Sequence, residues 1–236
     1  MKDEFLGYSS VKGSLHVTSR LPNQDSYLVK RFKFGTLLVV SDGMGSHPYA
    51  DIGSDSVCRC VSKALQIWNE QGCQDIRLLI PLLHSLWNID IYPYMKNECG
   101  ATCLFAFIGI NGKIHLGQLG DGCIFYDFGY GTEILKIKDD DFANLTSGIN
   151  NIRSFEDWSL KTFEVTEQSI KICMMTDGVS ETLVEDRRNA FVELLWKRIA
   201  EKTNVIDRNR LVFRILEQWN PVNAGDDRTL ICYEKR

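Results

Sequence analysis

Apolar and polar positions change period several times along this chain. Ser26–Phe32 and Gly35–Ser41 are short β-rich runs parted at Lys33. The second is apolar on both faces, which predicts a buried strand, and it stops abruptly at Asp42-Gly43-Met44-Gly45. Helical spacing then takes over. Ser54–Glu70 sets Val57, Val61, Ala64, Leu65 and Trp68 on one face. Asp75–Asn97 does the same with Ile76, Leu79, Ile80, Leu83, Leu86 and Trp87, with Pro81 and Pro93 kinking or breaking it. Strands return from Ala101 to about Lys138. Gly109-Ile110-Asn111-Gly112 reads as a hairpin turn between Thr102–Ile108 and Lys113–Leu119, and Gly129-Tyr130-Gly131 as a second turn. Asp139–Trp158 is polar and poorly periodic, a long loop of the kind that borders functional sites. Leu160–Val165 and Ser169–Thr176 predict another strand pair. Amphipathic helices near Arg188–Lys202 and Asp207–Trp219 follow, then a closing strand, Thr229–Glu234.

The order is strands, two helices, many strands, two helices, one strand. Parallel β-α-β units are scarce, so the pattern predicts antiparallel sheets covered by helices, an α+β layered fold. With 236 residues and no linker, repeat or low-complexity tract, one domain spanning 1–236 is expected. A net charge of -4 supplies no broad basic field for nucleic acid or an anionic membrane. The start, Met1-Lys2-Asp3-Glu4-Phe5, carries acid where an export signal needs an apolar run. No stretch approaches the roughly 18–20 apolar residues of a membrane span. Eight cysteines show no C-x-x-C pair and several lie within apolar runs, so they read as reduced core residues of a cytoplasmic protein. His16, His84 and His115 read as core or surface residues, and the run Asp139-Asp140-Asp141 as a solvated turn.

Four acidic positions share one design: a β-rich run ends at an aspartate beside a glycine or a turn. They are Asp42, Asp121, Asp177 and Asp226. The strand fixes the backbone, and glycine permits a sharp turn or a close approach. Carboxylates gathered at strand ends repel one another unless cations lie among them, and oxygen-only ligands suit Mg²⁺ or Mn²⁺. An Asp-Gly pair also marks an ordinary tight turn, and spacing alone leaves both readings open.

Taken in order, the motifs resemble those of the metal-dependent 2C-type serine/threonine phosphatases, in their bacterial form. Arg20-Leu-Pro-Asn23-Gln24-Asp25 is similar to the family's R-x-x-N-Q/E-D element. Ser41-Asp42-Gly43-Met44-Gly45-Ser46-His47 resembles D-G-M-G-G-H, and Gly100-Ala101-Thr102 the start of a following strand. Gly120-Asp121-Gly122 stands where G-D-S is usual. Met175-Thr176-Asp177-Gly178-Val179-Ser180-Glu181 resembles S/T-D-G-[LV]-x-[DE], and Asp226-Asp227-Arg228-Thr229 the closing D-[ND]-x-T. The resemblance covers nearly the whole chain. It implies a four-layer α-β-β-α sandwich of two antiparallel sheets flanked by helix pairs.

It also implies a site. Asp42 would bridge two Mg²⁺ or Mn²⁺ ions and Gly43 would offer its carbonyl. Asp177 and Asp226 would complete the main shell, with Asp25 close by. Asp121 with Asp177 would hold a weaker third ion, and Arg20 would grip the phosphate. The implied reaction is in-line attack of an activated water on a phosphoserine or phosphothreonine ester, without a covalent phosphoenzyme. His47 would be structural. Met44 stands where eukaryotic members carry a histidine, Ser46 replaces a glycine and Gly122 a serine. The L-T-x-D-H element is absent, with Asn144-Leu145-Thr146-Ser147 its nearest remnant. The implied partners are a phosphorylated protein and a cognate kinase on a separate chain. A catalytically weak relative that binds phosphoprotein is the alternative.

Overall fold

The computed structural model describes residues 4–136, 147–152, 154–165, 169–219 and 225–236. In chain order the elements are β1 (Glu4–Val11), α1 (Ser14–Ser19), β2 (Ser26–Phe32), β3 (Gly35–Ser41), α2 (Ala50–Glu70) and α3 (Leu79–Asp90). Then come β4 (Cys103–Gly109), β5 (Lys113–Leu119), β6 (Cys123–Asp127), β7 (Glu133–Ile134), β8 (Ser159–Glu164) and β9 (Ile170–Met175). The chain closes with α4 (Asp177–Ser180), α5 (Arg188–Ala200), α6 (Val205–Glu217) and β10 (Arg228–Lys235). They fall into two compact units, Gln24–Asp121 with Lys136–Glu164, and Met1–Asn23 with Gly122–Leu135 and Val165–Arg236.

The first of these units is built on an antiparallel sheet of order β2-β3-β4-β5-β8. β3 and β4 are buried along their whole length, as their unbroken apolar runs require. Leu37, Val39, Phe105 and Phe107 join a core with Val57, Val61, Leu65, Leu79, Leu83 and Trp87 from α2 and α3. Burying each such side chain contributes about 1.5–3 kcal/mol. Two indole N–H groups link these helices to their surroundings: Trp87 donates to the Gly53 carbonyl at 3.2 Å and Trp68 to the Asp75 carbonyl at 2.9 Å. Pro81 falls in the first turn of α3, where no intrahelical N–H is needed, and the preceding residues Ile76–Leu78 form a separate 3₁₀ turn. The hairpin turn at Gly109–Gly112 is present as the sequence predicts, joining β4 to β5.

The second unit carries the sheet β1-β10-β9-β6-β7, also antiparallel. Val192, Leu195, Trp196 and Ile199 of α5 and Leu211, Val212 and Leu216 of α6 pack with Phe125, Cys173, Leu230 and Cys232 of the sheet. Helix α6 starts two residues earlier than its apolar pattern suggests. The Asn204 side chain accepts the Asp207 N–H at 2.9 Å, satisfying a free donor of the first turn.

Three expectations need correction. Leu160–Val165 and Ser169–Thr176 do not form a strand pair: β8 pairs with β5, whereas β9 lies between β10 and β6 in the other sheet. Closeness in sequence suggested a hairpin, but β9 has both edges filled. Strand β1 and helix α1 escape the periodicity reading because β1 buries only Leu6 and Gly7 and α1 buries no residue. Helix α2 starts at Ala50, one turn before Ser54, and Ser54 gives its hydroxyl to the Gln24 carbonyl at 2.5 Å. The Asp139–Asp141 run, Asn144–Thr146 and Lys138 lie outside the described residues.

Candidate metal centre

In the unit carrying β3, the Asp42 segment is tied on both sides. The Asp42 N–H donates to Thr102 Oγ1 at 2.9 Å and the Asp42 carbonyl accepts the Thr102 N–H at 2.8 Å. Gly43 donates to the Gln24 carbonyl at 3.0 Å, and Met44 to the Gly100 carbonyl at 2.9 Å. Three motifs far apart in sequence, at 24–25, 42–44 and 100–102, are thereby joined. Gly43 is required here: a Cβ would lie 2.5 Å from the Ala50 carbonyl oxygen and 2.7 Å from that of Gln24, both backbone atoms that cannot give way. Asp25 follows Gln24 directly and is buried. Asp25 lies near enough to Cys58 to push its thiol up, after burial itself and Cys103.

β3 and β5 are separated by two antiparallel pairings, so their C-terminal ends lie at the same edge of the sheet. Asp42 and Asp121 follow those ends, and carboxylate oxygens of the two come within 4.8 Å of one another. Asp121 sits between Gly120 at φ +87° and Gly122 at φ +91°. That left-handed backbone on both sides favours glycine, so the glycine at 122, in place of the usual serine, suits its own conformation.

In the other unit Asp177 opens α4 directly after β9, and β10 begins two residues after Asp226. Because β9 and β10 are antiparallel, the two positions lie at the same end of the sheet. The join is close. Thr176 exchanges backbone and side-chain hydrogen bonds with Thr229, and a Cβ on Gly178 would lie 2.0 Å from the Asp227 carbonyl oxygen. Asp226 is exposed, and its Oδ1 accepts the Asp227 N–H at 2.8 Å.

One residue differs from its sequence reading. His16 is not a simple core or surface histidine. Its Nδ1 lies 2.7 Å from Oδ2 of Asp227, and His16, Asp226 and Asp227 bring side-chain ligand atoms within 4.8 Å of one another. The second acid of the Asp226-Asp227 pair was the signal available in the sequence, and nothing local pointed from it to residue 16. Arg20 is exposed and ends α1 in the left-handed region at φ 58°, ψ 25°. His47 Nδ1 bonds the Asn97 carbonyl at 2.7 Å, with its ring against Gly100, which suits a structural role.

The donors at Asp42, Gly43, Asp121, Asp177 and Asp226 are all oxygen. Oxygen donors of this kind suit Mg²⁺ or Mn²⁺, and the backbone cradle around Gly43 fixes its peptide in place. Thiols are absent from these motifs. Among the eight free cysteines only Cys73 and Cys123 are partly exposed, and burial pushes the Cys58, Cys103 and Cys232 thiols up. Among the described residues, no helix is long and apolar enough to cross a membrane.

The chain is similar in structure to several bacterial enzymes. It matches a serine/threonine phosphatase of S. agalactiae at 17% identity and a TM-score of 0.67, covering 98% of this chain and 99% of that one. RsbX in complex with magnesium matches at 15% identity and 0.64, covering both chains fully. The catalytic domain of the serine threonine protein phosphatase PstP, in complex with two manganese ions, matches at 15% and 0.62, covering 99% of each chain. These likenesses give the fold, an α+β sandwich of antiparallel sheets and flanking helices. No curated protein sequence matches the chain. The sequence model described as Protein phosphatase 2C matches residues 12–213, most of the chain. The chain therefore belongs to the protein phosphatase 2C family.

Proposed function

We propose that residues 1–236 act as a single cytoplasmic domain, a metal-dependent phosphatase of phosphoserine and phosphothreonine in proteins. The observation that carries this reading is the approach of Asp42 and Asp121 within 4.8 Å at two strand ends of one sheet. Like charges so placed favour a cation between them. In this reading Asp42, Gly43, Asp177 and Asp226 would hold two Mg²⁺ or Mn²⁺ ions, with Asp25 beside them. Asp121, with Asp177, serves a third and weaker ion. When bound, such ions activate water and neutralise phosphoryl oxygens. The protein's part is to hold the carboxylates rigidly: the Thr102, Gln24 and Gly100 hydrogen bonds fix the Asp42–Met44 backbone before substrate arrives. Arg20 grips the phosphate with its guanidinium fork.

The substrate is a phosphorylated protein, and the kinase that makes it is a separate chain. The test is hydrolysis of p-nitrophenyl phosphate and a phosphothreonine peptide with Mn²⁺, with Mg²⁺ and with EDTA. Turnover that needs the divalent ion supports the reading, and turnover surviving EDTA overturns it. Phosphopeptide binding without turnover would identify the chain as a weak or inactive relative acting as a binding module.

A further inference from the structure

We infer that His16 is a positioning residue: it orients Asp226 for metal by way of Asp227. This rests on the reading of Asp226 as a metal ligand. Helix α1 has six residues and none is buried, so it adds nothing to the core. His16 is its only residue that is not exposed, with a side chain 14% exposed, and it faces Asp227, which is 1% exposed. A carboxylate that deep is stable only when donors meet its oxygens. Two such donors come from one short segment. Gly13 N–H reaches Oδ1 at 2.6 Å, and the His16 ring nitrogen lies 2.7 Å from Oδ2.

A third link runs along the backbones, from the Leu15 N–H to the Gly225 carbonyl at 3.0 Å. The two segments are packed too closely for any side chain at the glycines. A Cβ on Gly13 would lie 2.3 Å from the Gly225 carbonyl oxygen, and one on Gly225 would lie 2.5 Å from the Leu15 side chain. On its other side the Asp227 carbonyl is pressed against Gly178, next to Asp177.

Among the described residues Asp226 makes no such anchor of its own. Its carboxylate is exposed, and its Oδ1 accepts the N–H of Asp227. The direction of that carboxylate is therefore set by the peptide of Asp227, and that peptide is set by what holds the Asp227 side chain. Removing the imidazole leaves a buried carboxylate short of one donor. The 225–227 segment would then shift to reach water, and Asp226 would turn with it. Outer partners of this kind alter metal affinity by roughly 10–100-fold.

The experiment is calorimetric Mn²⁺ titration of the wild type, His16→Ala, His16→Asn and Asp226→Ala, with thermal melts in EDTA to establish that each is folded. An asparagine amide can occupy the place of Nδ1 and donate to Asp227. The expected result is Mn²⁺ affinity about 10–100-fold weaker in His16→Ala, restored to near the wild-type value in His16→Asn. Wild-type affinity in a folded His16→Ala overturns the inference, and so does an equal loss in both His16 variants. Should His16→Ala fail to fold, Asp227→Asn takes its place: a similar loss of affinity supports the inference and unchanged affinity overturns it. Asp226→Ala separates the two levels. Wild-type affinity in that variant overturns the metal-site reading itself, and lost affinity there with none lost in His16→Ala overturns only the role of His16.

Discussion

Protonating His115 should unfold the protein more readily, by an amount the structure specifies. His115 is 2% exposed on β5, its ring stacked on Phe107 at 6.1 Å and edge-on to Trp68 at 5.6 Å. Its Nδ1 lies 2.9 Å from Thr162 Oγ1. Burial chiefly, and Lys113 secondarily, push its pKa from the ordinary 6.5 down to about 4. The sign follows from linkage. Below 6.5 the unfolded chain takes up a proton that the folded chain refuses until about pH 4, so stability falls as pH drops through that window. Nearly one proton across about 2.5 pH units, at 1.36 kcal/mol per unit, amounts to about 3 kcal/mol lost between pH 6.5 and 4. That is a large fraction of the roughly 5–15 kcal/mol typical of a domain. The control is His115→Phe, which keeps the ring packing, has no group titrating there, and leaves the exposed Thr162 to water. Urea denaturation of both proteins, stepped from pH 7 to 4, isolates the histidine, since the other acids titrate alike in each. The wild type should lose about 3 kcal/mol relative to the variant. Parallel stability curves for the two would refute the argument.

Asp42→Ala should abolish metal binding and turnover together, whereas Asp121→Ala should keep the tight ions and lower kcat at millimolar metal. Calorimetry with thermal melts checks this, and full kcat in Asp121→Ala with only a lower Tm would make Asp121 a turn residue. Arg20→Ala should raise KM for phosphopeptides by an amount worth about 1.5–3 kcal/mol if the guanidinium holds phosphate. Arg20→Gly should carry the same KM penalty yet gain stability of about 1 kcal/mol, because glycine relieves the left-handed backbone at φ 58°; unchanged kinetics in both would make Arg20 a surface residue. In the native protein a thiol reagent should modify no more than the two partly exposed cysteines, Cys73 and Cys123, without loss of activity. Rapid reaction of Cys58 or Cys103 would contradict their burial.

The sequence by itself determined the elements with strong internal period. β3 and β4 are apolar on both faces, α2 and α3 repeat their large side chains each turn, and glycines bound the β4–β5 turn. These are local consequences of side-chain spacing, so one window of residues contains them. The aspartates that end strands were legible for the same reason, since an apolar run, an acid and a glycine stand side by side. Pairing was not local. β8 and β9 are neighbours in sequence, yet each takes its partners from distant segments, because the alternatives differ in which edges are already filled. β1 and α1 bury too little to leave a period. Only the tertiary structure decided that His16 belongs with Asp226 and Asp227. That contact spans 211 residues and depends on two glycines, Gly13 and Gly225, letting the segments approach closer than any Cβ there permits. Side-chain patterns record what each residue avoids or seeks in water, whereas a hydrogen bond between remote segments exists only after packing has brought their backbones together.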